Sequence, residues 1–405
     1  MFQPPTSTRT LRGISGFCLF HVTKLSEQGA AIGIDLRIGK LVLLENCTIP
    51  TVILKTQLQA SIQQTIDNQI FASVTMVELF GIEVGSIGYG MMGLTWRSVV
   101  PLEQEDCIHL LNTAFESGAR FWNAGEFYGT PEKNSLHLLK EYFTRYPERA
   151  SQVVLSIKGG LDPVKMTPDG SEKGVTRSIE QCIRVLDGTK KIDIFECARV
   201  DPEVPIEETI MALARFVKEG KIGGIGLSEV RAETIKRAHK VHKISIVEIE
   251  LSLWTTDVLQ NGIAETCHNL GIPMAAYAPL SRGALTGKFV TKNSELPESR
   301  RAYPKFQDEN LENNLRLSKE IENMAKAKNC TPTQVALGWI TSLGQHKGQI
   351  IIPIPGAEKE EWVRQNSTAV TLTKEEMQHI DNALQANRTR GDRYWAAFAK
   401  YCEEK

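Results

Sequence analysis

The sequence predicts an α/β fold, a (β/α)8 TIM barrel behind an N-terminal extension, and three observations carry that expectation. From residue 84 onward, short apolar β-rich runs alternate with segments of helical period, the pattern of a parallel sheet under covering helices. Eight such units follow one another over about 300 residues without a domain-like break, which suits a barrel. Polar residues recur where the apolar runs end, and a barrel gathers its chemistry there. A doubly wound open sheet uses the same alternation, but eight even units favour the barrel.

The first strand is expected in "VGSIG" (84–88), followed after Pro101 by the helix "LEQEDCIHLLNTAFESG", whose Cys107, Leu110, Leu111 and Ala114 recur at helical spacing. "ARFWN" (119–123) precedes a helix near 133–145, and "VVLSIK" (153–158) precedes one near 175–187. "IDIFECA" (192–198) leads to "IEETIMALARFVKEG", where Gly220 serves as a C-cap. "IGGIGLS" (222–228), "ISIVEIEL" (244–251), "IPMAAYA" (272–278) and "IIIPIPG" (350–356) complete the set, with "TKEEMQHIDNALQ" as a C-terminal helix. Residues 76–405 form the barrel domain on this reading, and 1–75 a loosely attached extension.

The chain has 405 residues, 41% of them hydrophobic, enough to bury a large core without disulfides or metals. Its 47 basic and 48 acidic side chains leave a formal charge of −1, so no global field selects nucleic acid or an anionic membrane. Eight cysteines stand far apart, with no C-x-x-C and no metal-ligand spacing, and read as reduced packing residues with no metal site. No apolar run reaches the roughly 20 residues of a membrane span. Arg9, Arg12 and Lys24 among serines and threonines give a weak transit-peptide composition, so organelle targeting stands as an alternative to a cytoplasmic or also nuclear location. Nothing assigns an oligomeric state.

"GYGMMG" (88–93) has the G-x-G-x-x-G spacing of a dinucleotide-binding turn. The context fails: "LTWRSVVP" separates it from the helix, and the second strand ends in neutral Asn123 where a ribose-binding acid is needed. The glycines read as the first βα loop of a barrel. "GALTGKF" is not a phosphate-binding loop, since its glycines are too close and Phe289 stands where Ser or Thr would hold magnesium.

Asn123, Tyr128, Lys158, Arg199, Ser228 and Glu229 all fall at strand ends, and polar groups in such runs need a reason. If Lys158 meets Tyr128 across the barrel mouth, its ammonium lowers the phenol's pKa from about 10 toward neutrality and makes Tyr128 a usable general acid. That suits protonation of a carbonyl oxygen while hydride arrives at the carbon.

"GARFWNAGEFYG", "LSIKGG", "GKIGGIGLSEV", "YAPLSRGALTGKF" and "IPIPGAEKEEWVRQN" stand in the order of the strand-end motifs of the aldo-keto reductase superfamily, which the chain resembles over 76–390. "GYGMMGLTWR", "FWNAGEFYG" and "ARVDPEVPIEET" resemble its pyridoxal reductase branch. The resemblance implies NADPH bound without a Rossmann domain and reduction of pyridoxal to pyridoxine, as in a pyridoxine 4-dehydrogenase. Tyr128 is then the proton donor and Lys158 its partner. Gly90, Thr95 and Trp96 approach the nicotinamide; Ser228, Glu229 and Glu248 match the residues that hold its carboxamide, and Tyr277 the ring that stacks on it. Leu280, Arg282 and Leu285 match the pyrophosphate loop. Gly356, Lys359, Arg364, Gln365 and Asn366 match the adenosine pocket, with Lys359 at the 2′-phosphate.

The chain departs from that pattern where Asn123 replaces an Asp and Ala198 a His, beside Arg199. Losing the Asp implies a bare Lys158 ammonium that acidifies Tyr128 further. Losing the His opens room for a bulky ring, with Trp96, Ala198, Arg199 and Trp254 lining the substrate pocket. Other aryl or aliphatic aldehydes are the alternative substrates, and a non-catalytic NADPH-binding regulatory subunit is a different class of reading.

Overall fold

The structure is a computed structural model that describes residues 77–96, 102–162, 165–288, 290–368, 370–395, 399 and 402. The expectations for residues 1–75, Pro101 and Phe289 lie outside these.

A short hairpin, β1 (Glu78–Leu79) and β2 (Ile82–Glu83), precedes the barrel. Eight parallel strands follow in sequence order: β3 (Tyr89–Gly90), β4 (Phe121–Gly125), β5 (Val154–Gly159), β6 (Ile192–Cys197), β7 (Ile222–Ser228), β8 (Ile244–Glu250), β9 (Met274–Tyr277) and β10 (Ile351–Pro353). The main helices are α1 (Gln104–Glu116), α2 (Ser135–Arg145), α3 (Glu172–Leu186), α4 (Ile206–Lys218), α5 (Ala232–Val241), α6 (Ile263–Asn269), α7 (Asp308–Ala327), α8 (Pro332–Lys347), α9 (Glu360–Asn366) and α10 (Lys374–Ala386).

The predicted strand order holds, but the first strand lies after the segment assigned to it. Gly85 takes a left-handed φ of 76° and breaks "VGSIG", so pairing starts at Tyr89. The barrel closes at this seam: Gly88 N donates to Pro353 O at 2.9 Å and Gly90 N to Pro355 O at 3.2 Å. Gly90 is needed for that approach, and Gly88 for the one to β4. A Cβ on Gly88 would stand 2.6 Å from Phe121 O, and one on Gly90 2.8 Å from Ile354 O. The G-x-G spacing therefore serves closure of the sheet.

Two layers of apolar contact hold the barrel. Inside its amino-terminal half, Phe121, Val154, Ile194, Ile246, Ala275 and Ile352 pack together, and Leu79 of the hairpin joins them. Outside, helix faces cover the sheet; in α3, Val175, Ile179, Cys182 and Leu186 recur at helical spacing and are all buried. Ser171 starts that helix by accepting the Gly174 N–H at 3.0 Å. The fill stops short of the carboxyl ends, where charged side chains replace it.

A Gly88→Ala substitution should cost about 1–3 kcal/mol, because the added methyl meets backbone that cannot turn aside. Urea unfolding checks this; an unchanged midpoint would mean that the approach of Gly88 to β4 is looser than described.

Candidate active site

Parallel register brings the first group of polar residues together. Asn123 pairs with Gly90 on one side and Ser156 on the other, Lys158 with Glu196, and Ser228 with Glu248. Asn123, Lys158, Glu196 and Glu248 are all buried within the barrel. The Lys158 ammonium is ion-paired with Glu248 and lies 3.4 Å from Glu196 Oε1. Asn123 Nδ2 donates to both carboxylates, at 3.0 Å to Glu196 Oε1 and 2.7 Å to Glu248 Oε2, and Ser156 Oγ donates to Glu196 Oε1 at 2.9 Å.

Lys158 is thus not the bare ammonium that the loss of an Asp implied. Burial works against its charge, but Glu196 and Glu248 outweigh burial and hold it above the ordinary lysine range. The anion missing from strand β4 has been supplied from β6 and β8. Glu248, expected at the nicotinamide carboxamide, is engaged here by Lys158 and Asn123.

Tyr128 follows β4 in a loop whose Glu126 N donates to Lys158 O at 2.8 Å. Glu126 is pinned by Arg177 at 2.6 Å and Ser178 at 2.5 Å, and Thr95 Oγ1 donates to Tyr128 O at 2.6 Å. The Tyr128 ring lies against Gly125, where a Cβ would be 2.9 Å from it, and stacks on Trp96 with centroids 5.8 Å apart. Burial pushes the phenol up to about 12; Lys158 pulls it down, while Glu248 and Glu196 push it up. The expected shift toward neutrality is reversed, first because burial disfavours the phenolate and then because Glu248 and Glu196 offset the pull of Lys158. Tyr128 carries its proton throughout the physiological range.

A second buried charge cluster sits at the mouth. Glu250 is fully buried and takes Arg282 in a fork, at 2.6 and 3.1 Å, with Arg393 at 3.4 Å. Arg393 also binds Glu229, at 2.5 Å, and Glu229 accepts the Glu250 N–H at 3.0 Å. Glu229 holds a left-handed backbone (φ 58°), which costs a side chain about 1 kcal/mol and is offset here by these bonds. Burial disfavours the Glu250 anion, yet Arg282 and then Arg393 keep it below the usual carboxylate range. Tyr394 extends the same contact, its hydroxyl 2.8 Å from that of Tyr277.

Arg199 belongs to this neighbourhood. It donates to Ala198 O at 2.5 Å, and although burial disfavours its charge, Tyr277, Glu229, Tyr394 and Cys402 hold it above the ordinary arginine range. Ala198 is buried beside it. Trp254 needs correction as a pocket wall: it is buried against Phe306, and its Nε1 donates to Ser318 Oγ at 3.2 Å, so it packs the core. Leu285 is buried and Leu280 half-buried in the loop that carries Arg282.

The adenosine-pocket residues form a separate surface group. Lys359 stands at the N-terminal boundary of α9 with its ammonium 4.9 Å from the Trp362 ring centre, and Lys288 stands 4.9 Å from the same ring. Arg364 is paired with Glu360 at 2.8 Å, Asn366 is buried, Gln365 is half-buried and Gly356 is exposed. Ser228 Oγ, at the end of β7, is buried and has no hydrogen-bond partner among the described residues. Among those residues no group of His, Cys, Asp and Glu could hold a metal ion, and no helix is long and apolar enough to cross a membrane.

Sequence reasoning missed Glu196, Glu250, Arg393 and Tyr394. The first two carried a signal, being carboxylates inside apolar strand runs. Arg393 and Tyr394 carried none, since only the return of the chain after α10 brings them to the mouth.

Replacing Arg393 with Ala should cost about 3–5 kcal/mol, because it leaves Glu229 without its main partner in a buried site. Thermal unfolding together with hydrogen exchange in residues 388–395 would check this. A loss below about 1 kcal/mol would mean that water already reaches the cluster.

With this geometry in place, comparison with known proteins is direct. The sequence profile of the aldo/keto reductase family matches residues 86–385. A probable pyridoxal reductase 2 of Schizosaccharomyces pombe is 41% identical over 324 residues, covering 78% of this chain and 96% of that protein. A putative pyridoxal reductase of Saccharomyces cerevisiae is 37% identical, covering 76% of this chain and 95% of that one. Among solved structures, a glycerol dehydrogenase from Gluconobacter oxydans superposes with a TM-score of 0.68 at 20% identity, over 80% of this chain and 99% of that one, a likeness of fold. By profile, relatives and barrel together, the chain belongs to the aldo/keto reductase family.

Proposed function

We propose that the protein is an NADPH-dependent carbonyl reductase that converts pyridoxal to pyridoxine, with Tyr128 as the proton donor. The observation that carries this reading is Tyr128 itself, a buried phenol under the field of a buried, charged lysine at the carboxyl end of a barrel. The names of the two fungal relatives support pyridoxal as the aldehyde.

The residues fit a nicotinamide dinucleotide. The buried Ser228 hydroxyl lacks a partner among the described residues, an expensive condition that a carboxamide would relieve. Tyr277 offers its ring nearby. Lys288 and Lys359 flank Trp362, so an adenine face and a 2′-phosphate find aromatic and cationic partners together, which favours NADPH over NADH. NADPH, when bound, supplies the hydride.

The chain's own residues perform the proton chemistry. Tyr128 donates its phenolic proton to the carbonyl oxygen as negative charge develops there. A phenol of pKa near 12 is still far more acidic than the alcohol it forms, so the transfer runs downhill. The Lys158 ammonium stabilises the resulting phenolate. Arg199, held charged beside the small Ala198, would face an anionic substituent of a ring that a histidine at 198 would crowd.

Pyridoxal should stand out from a panel of aryl and aliphatic aldehydes in NADPH oxidation, and Tyr128→Phe should lower kcat by about 10²–10⁴ while leaving NADPH affinity within a few-fold. A flat panel would remove the substrate from this reading. A wild-type rate in the Tyr128→Phe variant would remove the acid.

A further inference from the structure

The cluster around Lys158 holds one more anion than cation. Glu248, on β8, is met by Lys158 from β5, Glu196 from β6 and Asn123 from β4, stands in register with Ser228 on β7, and acts electrostatically on Tyr128 from the loop after β4. Of these only Lys158 is positive, and Asn123 has already given a hydrogen bond to each carboxylate. Glu196 gathers its donors on Oε1, while its Oε2 is buried without a hydrogen-bond partner among the described residues. Two carboxylates on one ammonium, walled from water, leave a net negative charge that the interior does not tolerate; such pairs take up a proton and titrate jointly. Burial first, and then Glu196 against the opposing pull of Lys158, pushes the Glu248 carboxyl up to about 8.

We propose that Glu196 and Glu248 hold one proton between them at neutral pH, and that this proton restores Tyr128 through Lys158 after each turnover. The inference rests on Tyr128 as the donor and adds the source of its next proton. The Tyr128 O–H bond breaks as an O–H bond forms on the product alcohol. Lys158 then passes one N–H proton to the phenolate, and Glu248 passes its carboxyl proton to the Lys158 amine. No electrons are exchanged in the relay. The spent cluster is an ammonium between two carboxylates, and it takes one proton from water to reset.

The relay separates the first turnover from later ones. Tyr128 begins protonated, so a single turnover does not draw on the carboxyl pair. Glu248→Gln should therefore slow steady-state turnover about tenfold or more beyond any effect on the first NADPH oxidation in stopped flow, so that a burst separates the two. The wild-type kcat should fall above about pH 8, and that limb should vanish in the variant. If Glu248 were only structural, burst and steady state would fall together and the limb would persist.

Infrared titration reads the proton without any reaction. The wild type should show a protonated-carboxyl band at pH 7 that disappears through about pH 8, survives Tyr128→Phe and is lost in Glu248→Gln. Absence of that band in the wild type would overturn the proposal. Should Glu248→Gln not fold, Glu196→Gln gives the same readout, since either substitution leaves one carboxylate to match one ammonium. If Tyr128→Phe keeps full activity while the band is present, the donor assignment fails and the shared proton stands.

Discussion

The site depends on keeping one ammonium charged inside a barrel. Lys158 points into a space where water cannot solvate it, and an ammonium so placed would lose its proton without partners. Glu196 and Glu248 supply them from strands that the parallel register sets beside and across from it. Asn123 locks both carboxylates in place, which an Asp at that position would repel. The amide at position 123 and the two glutamates therefore depend on one another.

The mouth is organised by a second ion cluster, and the two are kept apart by function. Glu229 and Glu250 are held by Arg282 and Arg393, whose forked pairs tie the segment after α10 and the loop after β9 to the rim, and Arg199 and Lys305 add positive charge beside them. The inner cluster has the opposite excess. Surplus cations keep carboxylates ionised, which suits a structural clamp, whereas an excess carboxylate suits a place where protons come and go. Arg199 stands at the boundary, near enough to Glu229 and Tyr277 to stay charged.

Much of the architecture was legible because a barrel repeats one simple pattern. Seven of the strand runs are long enough to show their apolar character. The first is not: its pairing rests on Gly88 and Gly90 drawing two backbones together, which leaves no hydrophobic trace. The hairpin at 78–83 is too short to announce itself. Tyr128 and Lys158 could be found as polar residues in apolar company, and Glu196 and Glu250 obey the same rule. The direction of the Tyr128 shift could not, since it depends on the burial of the phenol and then on two carboxylates brought from positions 196 and 248. Arg393 was beyond reach for the same reason, as was the core packing of Trp254, decided by Phe306 and Ser318.

Neutron diffraction from a deuterated crystal at pH 7 tests the central claim most directly, because it locates the protons themselves. The account predicts three deuterons on Lys158 Nζ, one on the Tyr128 hydroxyl and a single deuteron between the Glu196 and Glu248 carboxyls. A neutral Lys158, or two fully ionised glutamates beside it, would contradict it.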